Sequence, residues 1–122
     1  MVFSSRVFAV VFVAALGLGA TACGSAAPPM ATHVDAERAA RRWPGTTLAD
    51  LNRGRRLYRS RCSSCHLPVH PKRIKPTDWP GHVSEMSIRA HLNHDEKRLV
   101  VRYLITMSSA THANNKSASA KP

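Results

Sequence analysis

Gly54-Arg55-Arg56-Leu57-Tyr58-Arg59-Ser60-Arg61-Cys62-Ser63-Ser64-Cys65-His66 decides how this 122-residue chain reads. Its last five residues have the spacing C-x-x-C-H. On a helical turn, positions i, i+3 and i+4 share a face. Thiols at 62 and 65 then meet the two vinyl groups of one haem, while His66 reaches its iron. The expectation is haem c held covalently through Cys62 and Cys65, with His66 as one axial ligand. Two other chemistries use paired cysteines. Zinc wants a closed set of four ligands. Cys62, Cys65 and His66 supply three, one of the other histidines would have to complete them, and no second pair stands at short spacing. A thioredoxin-type redox pair needs a βαβ context, and no strand pattern stands out.

Outward from the motif the periodicity is helical. Thr47-Leu48-Ala49-Asp50 reads as a helix start, the Thr hydroxyl capping an orphan amide and Asp50 complementing the positive end of the dipole. The helix runs to about Arg61. Leu51, Gly54 and Tyr58 share its apolar face, flanked by Leu57, while Arg53, Arg55, Arg56, Arg59 and Arg61 occupy much of the rest. Glycine inside a helix costs about 1 kcal/mol relative to alanine, so Gly54 implies another backbone approaching closely. The candidate neighbour begins at Asn93-His94-Asp95-Glu96, a capping box followed by the stripe Leu99, Val100, Tyr103, Leu104 and Met107. Residues 67–92 hold four prolines, and a short helical turn over Val83 to Leu92 is the one regular element expected there. A short helix from Asp35 to Trp43, stopped by Pro44-Gly45, is expected on the N-terminal side.

The stretch from Gly54 to His66 resembles class I cytochrome c, in which a glycine, an aromatic four later and the first haem cysteine four after that follow one another. Leu99 through Leu104 is similar to the last helix of that family, whose aromatic packs across the first helix, so Gly54 and Tyr103 are expected to make the crossing. The resemblance covers about residues 47–107. It implies an all-α cytochrome c-like fold, about three helices around one haem, in a monohaem electron carrier with no substrate pocket. The family's sixth iron ligand is usually a methionine ahead of the last helix. Met86 in Trp79-Pro80-Gly81-His82-Val83-Ser84-Glu85-Met86 fits, with His70, His82, His91 and His94 as competitors. The short loop between His66 and Met86 suggests an open haem edge. Trp79 and Tyr58 are expected against the haem, the indole N–H of Trp79 being a candidate donor to a propionate.

Eighteen Lys and Arg against seven Asp and Glu give a formal net charge of +11. Nucleic acid is disfavoured as the counterpart, because no recognition helix, zinc module or aromatic strand platform is visible. An acidic redox protein fits better. Arg61, next to the first haem cysteine, is the first docking candidate, ahead of Arg53, Arg56, Lys72 and Lys75. The rival roles are a haem subunit within an oxidoreductase complex and a haem-based small-ligand sensor.

Residues 1–22 read as a signal peptide: Arg6 precedes the apolar run Val7 to Ala20, which is shorter than the roughly 20 residues of a spanning helix and is broken by Gly17 and Gly19. Gly19-Ala20-Thr21-Ala22-Cys23 resembles a bacterial lipoprotein box with Ala20 where Leu is usual, and Ala20-Thr21-Ala22 also matches an ordinary signal-peptidase site. Lipidation accounts for Cys23, which has no disulfide partner once Cys62 and Cys65 bind haem. The expected layout is signal peptide 1–22, tether with a short helix 23–46, cytochrome domain 47–107 and disordered polar tail 108–122, located in the periplasm or on the outer face of a membrane. If Cys23 carries a lipid, the exported protein stays with membranes at high salt, because acyl burial is not screened. Cys23→Ser then releases it in a membrane-fractionation assay; equal retention of both forms excludes the lipid as the main anchor.

Overall fold

The computed structural model describes residues 27–119, and the side-chain surroundings of residues 27–110. Four helices follow one another: α1, His33–Arg42; α2, Leu48–Arg61; α3, Trp79–Ser87; and α4, His94–Ser119. A 3-10 turn, Pro71–Arg73, lies between α2 and α3. No strand occurs among the described residues. The architecture is all-α, with one helix more than the expected three.

Two helices begin with the same device. Thr32 caps α1 and Thr47 caps α2, and in each the Thr side chain accepts the N–H of the aspartate three residues on, while that carboxylate accepts the cap's own N–H. Thr47 N donates to Asp50 at 3.0 Å and Asp50 N to Thr47 Oγ1 at 3.1 Å. These bonds, first the backbone one and then that from the hydroxyl, hold the Asp50 carboxyl below its usual range, with Arg102 nearby adding to the effect. The third cap is Asn93, whose Oδ1 accepts Glu96 N at 2.9 Å while Glu96 Oε2 accepts Asn93 N at 3.1 Å.

The core is the crossing of α2 over α4. Leu51, Gly54 and Tyr58 are buried on α2, and Val100, Tyr103 and Leu104 are fully or nearly fully buried on α4. A Cβ at Gly54 would collide with the Leu99 carbonyl oxygen and lie 3.0 Å from Tyr103 Cβ. Only a glycine lets the backbones come this close.

The N-terminal arm departs from the expected tether. From Pro28 onward it is packed: Arg55 Nε donates to Pro28 O at 2.6 Å, the Tyr103 hydroxyl to Pro29 O at 2.6 Å, and Asn52 exchanges bonds with the Ala31 backbone. Ala31 and Ala39 join the core cluster. Side chains too distant in sequence to be paired by inspection anchor the arm. Residues 1–26, including the expected signal peptide and Cys23, lie outside the described residues.

Three further boundaries moved, the first being α1, which opens at His33 where a start at Asp35 was expected. α3 starts at Trp79, four residues ahead of the expected turn, because Pro80 sits in the first helical turn, where its missing N–H costs nothing. α4 runs through Ser119, where a disordered tail from residue 108 was expected. Ser108 is fully buried and its hydroxyl donates to Ile105 O at 3.0 Å, so a polar residue is accommodated without leaving the helix. No helix among the described residues is long and apolar enough to cross a membrane.

Gly54→Ala is expected to destabilise the haem-loaded protein by about 1–3 kcal/mol, the usual cost of overpacking, despite the helix propensity that alanine adds. Guanidinium denaturation followed by helical circular dichroism measures it; an unchanged midpoint would mean the helices separate without cost.

Candidate haem site

α2 ends at Arg61, so Cys62 is its C-cap and the rest of the C-x-x-C-H motif lies on the turn beyond rather than on a helical turn as expected. The two intervening serines explain the stop. Ser63 Oγ donates to Arg59 O, and Ser64 Oγ to Arg61 O at 3.0 Å, satisfying the last carbonyls of α2 from the side chains that follow. Cys62 and Cys65 are unpaired thiols, half-buried and exposed respectively. Burial pushes the Cys62 thiol up, keeping it protonated at neutral pH.

The His66 imidazole has a defined tautomer. Its Nδ1 lies 3.0 Å from Leu67 O. A carbonyl only accepts, so Nδ1 carries a proton, and in the neutral ring that leaves Nε2 with the lone pair an iron would take. Among the described residues, no three His, Cys, Asp or Glu side chains converge as a simple metal-ion site.

The segment after His66 is held by two buried aromatic rings. The Tyr58 hydroxyl donates to Val69 O at 2.7 Å, and Trp79 Nε1 donates to Pro71 O at 3.3 Å. The rings meet edge to face, 6.1 Å between centroids at 81°. Trp79 was expected against the haem with its N–H a candidate donor to a propionate; here that single donor serves a backbone carbonyl inside the core. Both rings remain on the cavity wall.

That cavity, about 270 Å³, gathers the motif and α3. Cys62, Cys65 and His66 line it from the turn after α2, and Trp79, His82, Val83 and Met86 line it from α3; Val69, Ile74, Ala90 and Leu92 complete a largely apolar surface, with Arg61 and Arg89 also on it. Met86 is 42% exposed. His82 and Met86 are four apart on one helical face. The other candidate histidines do not line the cavity. His70 Nδ1 accepts Lys72 N at 3.3 Å to cap the 3-10 turn, His91 has a left-handed backbone (φ 50°), and His94 opens α4 beside Asp95. The series 79, 82, 83 and 86 is one helical face legible in the sequence once α3 is started at Trp79. Arg89 was not anticipated, since nothing in its spacing marks it.

A cavity lined by two free thiols three residues apart, an imidazole and apolar walls fits a covalently attached haem. A family model described as dihaem cytochrome c matches residues 58–122, more than half of the chain. The chain belongs to the dihaem cytochrome c family. No curated protein and no solved structure matches it. The family carries covalent haem c and serves as a haem-based electron carrier, and c-type cytochromes are in general exported. Its description specifies two haems, so the expected monohaem class is corrected: the match supports a c-type cytochrome but not a count of one.

Burial pushes the Tyr58 phenol up from 10.0 to about 12. The unfolded phenol ionises near 10 while the native one holds its proton, so the stability Tyr58 contributes is intact below about pH 10 and falls as pH rises toward about 12. Tyr58→Phe should flatten part of that alkaline decline. At neutral pH it should cost about 1–3 kcal/mol through the unpaired Val69 carbonyl. Urea denaturation at neutral and alkaline pH measures both; identical curves for the two proteins would mean the hydroxyl braces nothing.

Proposed function

We propose that this chain holds covalent haem through Cys62 and Cys65, with His66 and Met86 as axial ligands, and passes single electrons between redox partners at the cell envelope. The observation that carries the reading is the convergence of all four residues on one cavity. Within the chain, one C-x-x-C-H motif gives one attachment point.

Bound there, haem supplies a one-electron ferrous–ferric couple. The protein's part is to hold and tune it. Leu67 O fixes the His66 ring through Nδ1. Tyr58 and Trp79 keep the segment after the motif from shifting, which limits reorganisation. The apolar lining lowers the local dielectric, and a neutral thioether from Met86 favours the reduced state over a second imidazole. Arg61, exposed and on the cavity rim, is where we place docking of an acidic redox partner, steered by the chain's net charge of +11. We place the protein in the periplasm or on the outer face of a membrane, anchored there through a lipid on Cys23.

His82 is the second reading for the distal ligand, favoured by its place on the same face of α3 and the same cavity. Denaturing mass spectrometry of the exported protein should show the polypeptide plus covalently attached haem, the added mass giving the count; no added haem would overturn the reading. The ferric protein should show the weak far-red band of sulfur ligation. Met86→Ala should abolish that band and lower the potential. A low-spin wild type without the band, disturbed by His82→Ala and not by Met86→Ala, would assign the distal position to His82.

A further inference from the structure

A haem brings two carboxylates as well as its vinyl groups, and an apolar cavity receives charges only where donors meet them. The neutral donors on its wall are engaged: Trp79 Nε1 with Pro71 O, the Tyr58 hydroxyl with Val69 O, and Ser64 Oγ with Arg61 O. His66 Nδ1 faces Leu67 O. No Asp or Glu lines the cavity, and the remaining cationic or titratable groups are Arg61, His82 and Arg89. Arg61 adjoins Cys62, and so would stand by the thioether half of a haem attached there. The carboxylates of a haem are borne by the other two pyrrole rings. His82 belongs with Met86 among the candidates for the iron.

Arg89 stands apart from these. It is exposed at the cavity rim and takes no part in the ion pairs among the described residues, Arg38–Asp35, His94–Asp95 and Arg98–Asp95. Its position is defined by the turn that ends α3. Ala90 N donates to Met86 O at 2.9 Å, His91 N to Ile88 O at 3.2 Å and Leu92 N to Ser87 O at 3.0 Å, closing the helix end around a left-handed His91. That conformation costs a non-glycine residue about 1–2 kcal/mol. It reverses the chain immediately after Arg89, while Ala90 and Leu92 on either side of His91 stay on the cavity wall.

We propose that Arg89 is the cation that pairs with the haem carboxylates at the cavity mouth, the role the sequence suggests for Trp79. This rests on the haem reading above. An arginine partner holds a carboxylate ionised well below its ordinary range, by about 1–3 pH units. An ionised carboxylate near the iron favours the ferric state, so the potential falls with pH wherever the carboxylate titrates.

The experiment is a redox titration across pH on the haem-loaded wild type and on Arg89→Gln, Arg89→Lys and Arg61→Gln, each checked for covalent haem by mass and for an unchanged low-spin spectrum. Arg89→Gln should move the falling limb of the potential up by about 1–3 pH units, and Arg89→Lys should largely restore the wild-type profile. A haem-loaded Arg89→Gln protein whose profile superimposes on wild type overturns the role of Arg89 alone, as does the same shift in Arg61→Gln. Absence of covalent haem from wild type overturns the haem reading itself.

Discussion

The close approach of α2 and α4 at Gly54 is the constraint on which the other parts depend. Removing one methyl group brings the α2 backbone against the Leu99 carbonyl and Tyr103 Cβ, and that contact sets where both helices point. One turn beyond Gly54 on the same face is Tyr58, and four residues after Tyr58 is Cys62, so the crossing also fixes the first thiol. On α4 the crossing buries Tyr103, whose hydroxyl reaches out to hold the N-terminal arm at Pro29. A domain this small has little apolar area to bury, and one tight helix crossing organises most of it.

From that crossing the site is built by short, local bonds rather than by a large core. The serines between the cysteines finish α2 and turn the motif toward the cavity. Tyr58 and Trp79, touching edge to face, each donate to a carbonyl of the segment after His66. Buried donors with buried acceptors define one geometry, since any displacement leaves a polar group unpaired. The 3-10 turn and α3 are thereby set at the distance that lets the α3 face carrying His82 and Met86 share a cavity with His66. The charge is distributed differently: Arg41, Arg42, Arg53, Arg56 and Arg59 stay exposed on α1 and α2, while Arg61 and Arg89 reach the cavity rim.

The local features of this protein were determined by sequence alone. The C-x-x-C-H spacing, the Asn93–Glu96 capping box, the apolar stripes of α2 and α4 and the meaning of a glycine within a helix are all set by interactions over four residues or fewer, and these the chain displays directly. The start of α1 was written just as plainly, in Thr32 and Asp35, the same Thr-x-x-Asp pattern that opens α2. Tertiary structure decided what depends on distant partners. It gave the N-terminal arm its anchor on Arg55, Asn52 and Tyr103; it directed the Trp79 indole to Pro71 O; and it kept Ser108 within α4. It also separated His82 and Met86, which line the cavity, from His70, His91 and His94, which do not, and placed Arg89 on the rim. A side chain's type announces what it can bond, but which partner it meets across as few as 8 or as many as 74 residues of chain is settled only when the helices pack.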